Sequence, residues 1–207
     1  MTYFPTPVSS PQSYDYSNRA GGSQSTPLAT YLKMSAGARG VYHIYMADEC
    51  NDQPGFICDA MLGGLARWLR AAGYDAEFEY GIHDAELIRR AKESGRTILS
   101  CDGPLFDRNI IKNGLIKAIY VPQQLDKFGA LRYVMRKLKL PLRTPRCMAC
   151  GGAPAEVPKH TVMGEAPPLA YRNCEQFWRC SRCGKLLWHG THWQKITRRL
   201  GEIANDG

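Results

Sequence analysis

The chain has 207 residues, 44% of them hydrophobic, enough for one ordinary domain with a real core and a small appendage. No run approaches the roughly 18 apolar residues that a membrane helix needs. No basic start leads into an apolar stretch as in a secretory signal, so the expected setting is the cytoplasm. Net charge is +8, with 3 basic and 4 acidic side chains over 1–55, 15 and 10 over 56–143, and 9 and 5 over 144–207. The positive charge sits on the parts that read as folded. A basic surface favours polyanions such as nucleic acid through counterion release, although solubility alone also accounts for it.

Residues 1–30 are rich in Ser, Thr, Pro, Gly, Gln and Tyr and poor in aliphatic side chains. Such a segment buries too little apolar surface to offset its ordering entropy, so 1–55 is expected to be a disordered or poorly ordered extension. A short strand over 41–46 has no support upstream, and Met46 reads like a natural start. Order is expected from Phe56. Phe56–Cys58 reads as a buried strand closed by Asp59. Leu62, Leu65, Ala66, Trp68 and Leu69 then give a helical stripe with Gly73 as its stop. A second strand falls within Tyr74–Tyr80. Asp84 reads as an N-cap for a helix carrying Leu87, Ile88 and Ala91, closed at Gly95. Thr97–Ser100 is a third strand, Pro104–Asn113 a short helix, 115–121 a fourth strand and 123–139 a helix. Strands alternating with helices imply a parallel sheet with right-handed crossovers, an α/β fold.

Asp59 and Asp102 follow the first and third strands, and Asp84 starts a helix between them. Ligands of open parallel sheets bind beyond the carboxyl ends of the strands, so the three acids are expected to converge there. Converging carboxylates repel one another, and a hard divalent cation, Mg²⁺ or Mn²⁺, resolves that repulsion. Such ions activate water and stabilise charge developing on a phosphodiester. The competing readings are an N-cap for Asp84 and a turn for Asp102 before Gly103-Pro104. Asp107 and Glu86 are weaker ligands. Arg67 and Arg70, three apart beside Asp59, are candidates to contact nucleic-acid phosphates or else form a solvated face, with Trp68 between them in the core. The helix at 123–139 and the residues after it add Lys127, Arg132, Arg136, Lys137, Lys139 and Arg143, a backbone track or a solvated face.

Eight cysteines include two CxxC pairs, Cys147/Cys150 and Cys180/Cys183, each followed by glycine. The spacing lets both thiolates of a pair face one tetrahedral ion, which predicts a closed structural Zn²⁺ site rather than disulfides or catalytic zinc. Cys174 and His160 are possible competing ligands. The stretch between the pairs reads as an inserted loop in a zinc ribbon over 144–195, with 196–207 as a tail. Trp188 and Trp193 are assigned to packing, His189 and His192 to a structural or binding role, and Cys58 and Cys101 to buried positions.

FICDAMLGGLARWLRAAGYD, then HDAELIRRAKESGRTILSCDGPLF, then the CxxC pairs and WHGTHW, resemble the PIN-like ribonuclease family known as the Mut-seven C-terminal domain. The resemblance runs from about Phe56 to Trp193. It implies a PIN-like parallel sheet flanked by helices over 56–143, an attached zinc ribbon, and divalent-metal cleavage of RNA by Asp59, Asp84 and Asp102. The expected partner is RNA or a ribonucleoprotein. Cys101 stands where that family suggests Thr or Arg. The alternative is a non-catalytic RNA- or ribosome-binding module with a structural zinc site. A phosphotransfer domain fits less well, because Met61 stands where a haloacid-dehalogenase-type phosphatase needs a second aspartate.

Overall fold

A computed structural model describes residues 54–205. Of the extension expected over 1–55, residues 1–53, with the strand at 41–46 and the alternative start, lie outside the described residues, as do 206 and 207. The first strand, β1 (Phe56–Cys58), is buried throughout. A 3-10 turn at Ala60–Leu62 leads into α1 (Gly63–Ala71), which buries Leu65, Ala66 and Leu69. The helix closes where Gly73 and Tyr74 N–H donate to the carbonyls of Arg70 and Leu69. Then come β2 (Ala76–Phe78), α2 (Asp84–Ser94) and β3 (Thr97–Ser100). The short helix expected next is two, α3 (Gly103–Phe106) and α4 (Asn109–Lys112). They are followed by β4 (Ala118–Tyr120) and α5 (Lys127–Lys137).

The four strands form one parallel sheet in the order β2-β1-β3-β4. Alternation along each strand divides the core in two. Phe56, Cys58, Leu99, Ile119 and Val121 face α1 and α5, whereas Ile57 and Ile98 face α2 and Leu105 of α3. The chain leaves β1 towards β2 and returns to β3 on the other side of β1. The switch point of the sheet therefore lies between β1 and β3.

Beyond Pro141 a second, antiparallel sheet forms from β5 (Pro154–Val157), β6 (Phe177–Cys180) and β7 (Leu186–Trp188). The stretch expected as an inserted loop is ordered. It contains β5, a 3-10 turn at Lys159–Val162 and α6 (Pro168–Asn173). Val162 and Ala166 close a small core with Phe177 and Leu186, which accounts for the ordering. The stretch expected as a tail is helical. From 196 to 205 it is the second half of α7 (Thr191–Asn205). Ile196, Leu200 and Ile203 recur at i, i+4 and i+7 and are buried in the α1–α5 core. The antiparallel sheet is thus anchored to the parallel one by its own closing helix, which packs on α5.

Arg70 makes the second connection. Only 4% exposed, it donates Nε to the Ala76 carbonyl at 2.7 Å. One terminal nitrogen reaches the carbonyls of Met148 and Ala149 at 3.2 and 2.8 Å. An Arg70→Met substitution keeps the aliphatic stem and strands these carbonyls. It is expected to cost about 2–3 kcal/mol, seen as a lower denaturation midpoint at unchanged m-value. A midpoint equal to wild type would show that water takes over the bonds without loss.

Candidate active site and metal centre

Asp59 follows β1 directly and is 7% exposed. Its Oδ1 accepts from the Ala60 N–H at 2.6 Å, which caps the 3-10 turn. Its Oδ2 accepts from the Ser100 hydroxyl at 2.6 Å. Ser100, fully buried at the end of β3, in turn accepts from the Asp102 N–H at 2.9 Å. A single hydroxyl thus links the two strand-end acids across the switch point. Both Asp59 and Ser100 continue the alternation onto the face covered by α2. Asp102 precedes α3 and makes no side-chain capping bond. Among the described residues no hydrogen bond or ion pair reaches its carboxylate.

Asp84 is not an N-cap. His83 holds that position, and Asp84 is the first residue of α2. Its side chain is 37% exposed and lies 4.0 Å from the guanidinium of Arg108, which follows α3. A pair that long and open to water contributes little to stability. Asp84 therefore stands on the α2 side of the same sheet edge but is not linked to the other two acids. Asp107 is largely exposed and paired with Lys112. Glu86 is bound by Arg89 and Arg90, whose hydrogen bonds hold its carboxyl down to about 2.

The two arginines part company. Arg67 is exposed on α1, and Arg70 is spent on backbone carbonyls inside the molecule. The expectation that both meet a phosphate does not fit Arg70, which is 4% exposed with Nε and one terminal nitrogen on backbone carbonyls. Of the basic residues around α5, Arg143 packs over the Tyr74 ring at 5.6 Å and Lys137 donates to the Tyr133 hydroxyl at 3.1 Å. Cys58 and Cys101 are buried, and burial pushes the Cys58 thiol up to about 12, an unreactive group.

The four cysteines of the CxxC pairs do meet. Their sulfurs all lie within 4.8 Å of one another, with Cys150 and Cys180 at 3.4 Å and Cys147 and Cys183 at 3.8 Å. A tetrahedral ion with Zn–S bonds of about 2.3 Å sets sulfurs about 3.8 Å apart, so this group can hold a metal such as zinc. The knuckles are alike. Gly151 N–H donates to the Cys147 carbonyl and Gly184 N–H to the Cys180 carbonyl. Both glycines take left-handed φ, at 78° and 70°, which lets each turn close under its sulfurs. Gly152 N–H points at the Cys150 sulfur. At Cys180, burial alone would raise the thiol. Bonds from the Cys183 and Arg182 N–H groups and from the neighbouring thiols outweigh it and lower that thiol instead. Cys174 stands apart with its sulfur on the His189 carbonyl, and His160 is exposed. Among the described residues this is the one group of three or more Cys, His, Asp or Glu placed to hold an ion. Asp59, Asp84 and Asp102 are not drawn together in that way.

Two features escaped the sequence reading. Ser100 had a faint signal, a hydroxyl closing a buried strand two residues before an acid. The other is an aromatic stack. His189 lies 4.4 Å from Trp178 and 5.6 Å from Trp193, joining β6 to the start of α7. Trp188 packs on the small core behind β6 and Trp193 on the α1–α5 core.

A helix-flanked parallel sheet followed by a small antiparallel sheet defines the class as an α/β domain with an attached four-cysteine cluster that can hold a metal. The Mut7-C RNAse domain family model matches residues 54–200, more than two thirds of the chain, and the protein belongs to that family. The family points to a function of the ribonuclease type, with RNA as the class of substrate. No curated protein and no solved structure matches the chain.

Proposed function

We propose that the protein is a PIN-like, divalent-metal-dependent ribonuclease that hydrolyses RNA phosphodiester bonds at the carboxyl edge of the parallel sheet. The observation that carries this reading is the Asp59–Ser100–Asp102 linkage at the β1/β3 switch point, where ligands of such sheets bind. The donor set fits a hard ion. Asp102 offers a carboxylate without a described partner, and Asp59 is held in one orientation by two hydrogen bonds. Mg²⁺ and Mn²⁺ take one or two carboxylates and keep several waters. Asp59 and Asp102 would hold the ion, with Asp84 as the third acid of the site. When bound, the ion supplies a polarised water and charge stabilisation at the phosphate.

The protein's own share is positioning. Ala60 N–H and the Ser100 hydroxyl fix both oxygens of Asp59. Ser100 also fixes the backbone from which Asp102 projects. Arg67 and Arg108 are exposed cations on the elements that follow Asp59 and Asp102, suited to phosphate oxygens. The cysteine cluster is assigned to structural zinc, and the ribbon that carries it, about 144–195, to holding RNA or a ribonucleoprotein behind the nuclease domain of about 56–143. Cysteine pairs placed for a metal rather than for disulfides suit a reducing setting, assigned to the cytoplasm.

One observation favours a second reading, a non-catalytic RNA-binding module. Asp59 already has a structural task as the cap of the 3-10 turn. Incubating the purified protein with a panel of RNAs, with and without Mn²⁺, decides between them. The nuclease reading requires cleavage that appears with the divalent ion. Binding without cleavage under every condition selects the module.

Ser100→Ala adds a graded test. It leaves a buried carboxylate oxygen short of one donor and is expected to cost about 1–3 kcal/mol. Cleavage should fall mainly in kcat, and Ser100→Thr should restore much of it. Equal losses in both variants would assign Ser100 to packing alone.

A further inference from the structure

Beside the acid pair stands an aromatic side chain that neither the fold nor the proposed chemistry accounts for. Tyr120 closes β4, in register with Ser100 of β3, and the next N–H, of Val121, donates to the Ser100 carbonyl at 2.8 Å. Side chains in register on parallel neighbours leave the same face of a sheet, and neighbouring strands lie about 4.8 Å apart. Tyr120 therefore stands one strand from the Asp59–Ser100–Asp102 linkage and on its face.

One side of the ring is braced. Phe106, on α3 four residues past Asp102, meets it edge to face at 5.6 Å and 77°. The rest is open. Tyr120 is 41% exposed, whereas Ile119 before it is 8% and Val121 after it 1% exposed. No hydrogen bond to its hydroxyl is described. Strand ends that serve only a core do not need a large ring held edge-on with its remaining surface in water. A flat, π-rich ligand is what such a ring receives best.

We infer that Tyr120 is a base-stacking residue, receiving the nucleobase next to the phosphate that lies at Asp59 and Asp102. The inference rests on the ribonuclease reading and adds a subsite to it. Phe106 sets the ring angle, and α3 carries Phe106 directly after Asp102, so base and phosphate are positioned by one element. Stacking is tolerant of sequence because every base has a π-face. The subsite therefore confers affinity for unpaired RNA over duplex and little preference among the four bases.

The test uses the full-length protein and a short single-stranded RNA oligonucleotide, without added divalent ion so that it is bound and not cut, read by fluorescence anisotropy. Tyr120→Ala and Tyr120→Leu should each weaken binding about tenfold, and Tyr120→Phe and Tyr120→Trp should stay near wild type. Leu keeps the apolar contact with Phe106 and lacks the π-face, so it separates stacking from packing. An abasic version of the oligonucleotide should bind wild type and Tyr120→Leu alike. Leu binding as well as Phe, or Ala binding as well as wild type, overturns the subsite. Each outcome also separates this inference from the nuclease reading. Cleavage in Mn²⁺ with no effect of Tyr120 removes the subsite alone. Tyr120-dependent binding without cleavage removes the nuclease alone. Wild type that binds no RNA removes both.

Discussion

Asp59→Asn is expected to lower RNA cleavage by roughly 10³-fold while the protein stays folded. The substitution keeps the shape of the side chain and removes the anionic oxygen that faces Ser100. The remaining oxygen can still accept from Ala60 N–H, so the 3-10 turn keeps its cap. The new amide N–H must then face a Ser100 hydroxyl that already accepts from Asp102 N–H, at a cost of about 1 kcal/mol. Repulsion among the acids gives little back, because Asp84 lies apart from the other two. Divalent ions should raise the denaturation temperature of wild type and leave that of the variant unchanged, because a hard cation has lost a charged ligand. Asp102→Asn should repeat the loss of cleavage and of metal response with almost no cost in stability, since no described group bonds to its carboxylate. Asp84→Asn should give a smaller loss of activity. If divalent ions change the stability of neither wild type nor Asp59→Asn, the ion does not bind at this edge and the acids are structural.

The second large effect is expected at the cysteine cluster. The purified protein should carry about one zinc per chain, because four thiolates complete one tetrahedral shell. Cys180→Ser removes a buried ligand, and the binding free energy that folds the knuckles goes with it. The antiparallel sheet should unfold. The loss should not stop there. Met148 and Ala149, between the cysteines of the first pair, accept from Arg70 of the parallel-sheet core. The closing helix α7, which follows the second pair, buries Ile196, Leu200 and Ile203 in that same core. Melting should therefore shift for the whole described region, followed by far-ultraviolet circular dichroism and by the fluorescence of Trp68 and Trp193 on the α1–α5 core and of Trp178 and Trp188 on the antiparallel sheet. Elemental analysis that finds no zinc in a folded protein whose four thiols titrate freely would sink the metal site. A parallel sheet that melts as in wild type after Cys180→Ser would show that Arg70 and α7 do not couple the two sheets.

Local pattern determined much of this protein. Short apolar runs ending in turn residues mark β1 and β3, and the stripes over Leu65–Leu69 and Leu87–Ala91 mark α1 and α2, because a buried face must recur at the period of its element. Alternation of strand and helix implied the parallel sheet. The CxxC spacing with its trailing glycines announced a four-thiolate cluster, since a tetrahedral ion leaves little freedom in how two cysteines of one turn can face it. The acids at the strand ends were legible as a pattern. Their pairing was not.

What tertiary structure decided are matters of which element lies beside which. Ser100 becomes the partner of Asp59 only because β3 pairs with β1, and 41 positions separate them along the chain. Arg67 and Arg70 look equivalent on paper, yet three residues on a helix turn through 300°. The remaining 60° takes Arg70 under a knuckle 78 residues away, while Arg67 stays in water. The tail became a helix for the same reason. Ile196, Leu200 and Ile203 form a stripe too short to stand alone in water, and it is stable because α1 and α5 offer a face to cover. Asp84, given the role of an N-cap by its position before an apolar stripe, begins the helix one residue later than a cap would, and the sheet edge leaves it beside Arg108 rather than Asp59. Spacing along the chain determines which groups can share a turn or a helical face. Contact between distant segments is set by strand order and packing, which no local period encodes.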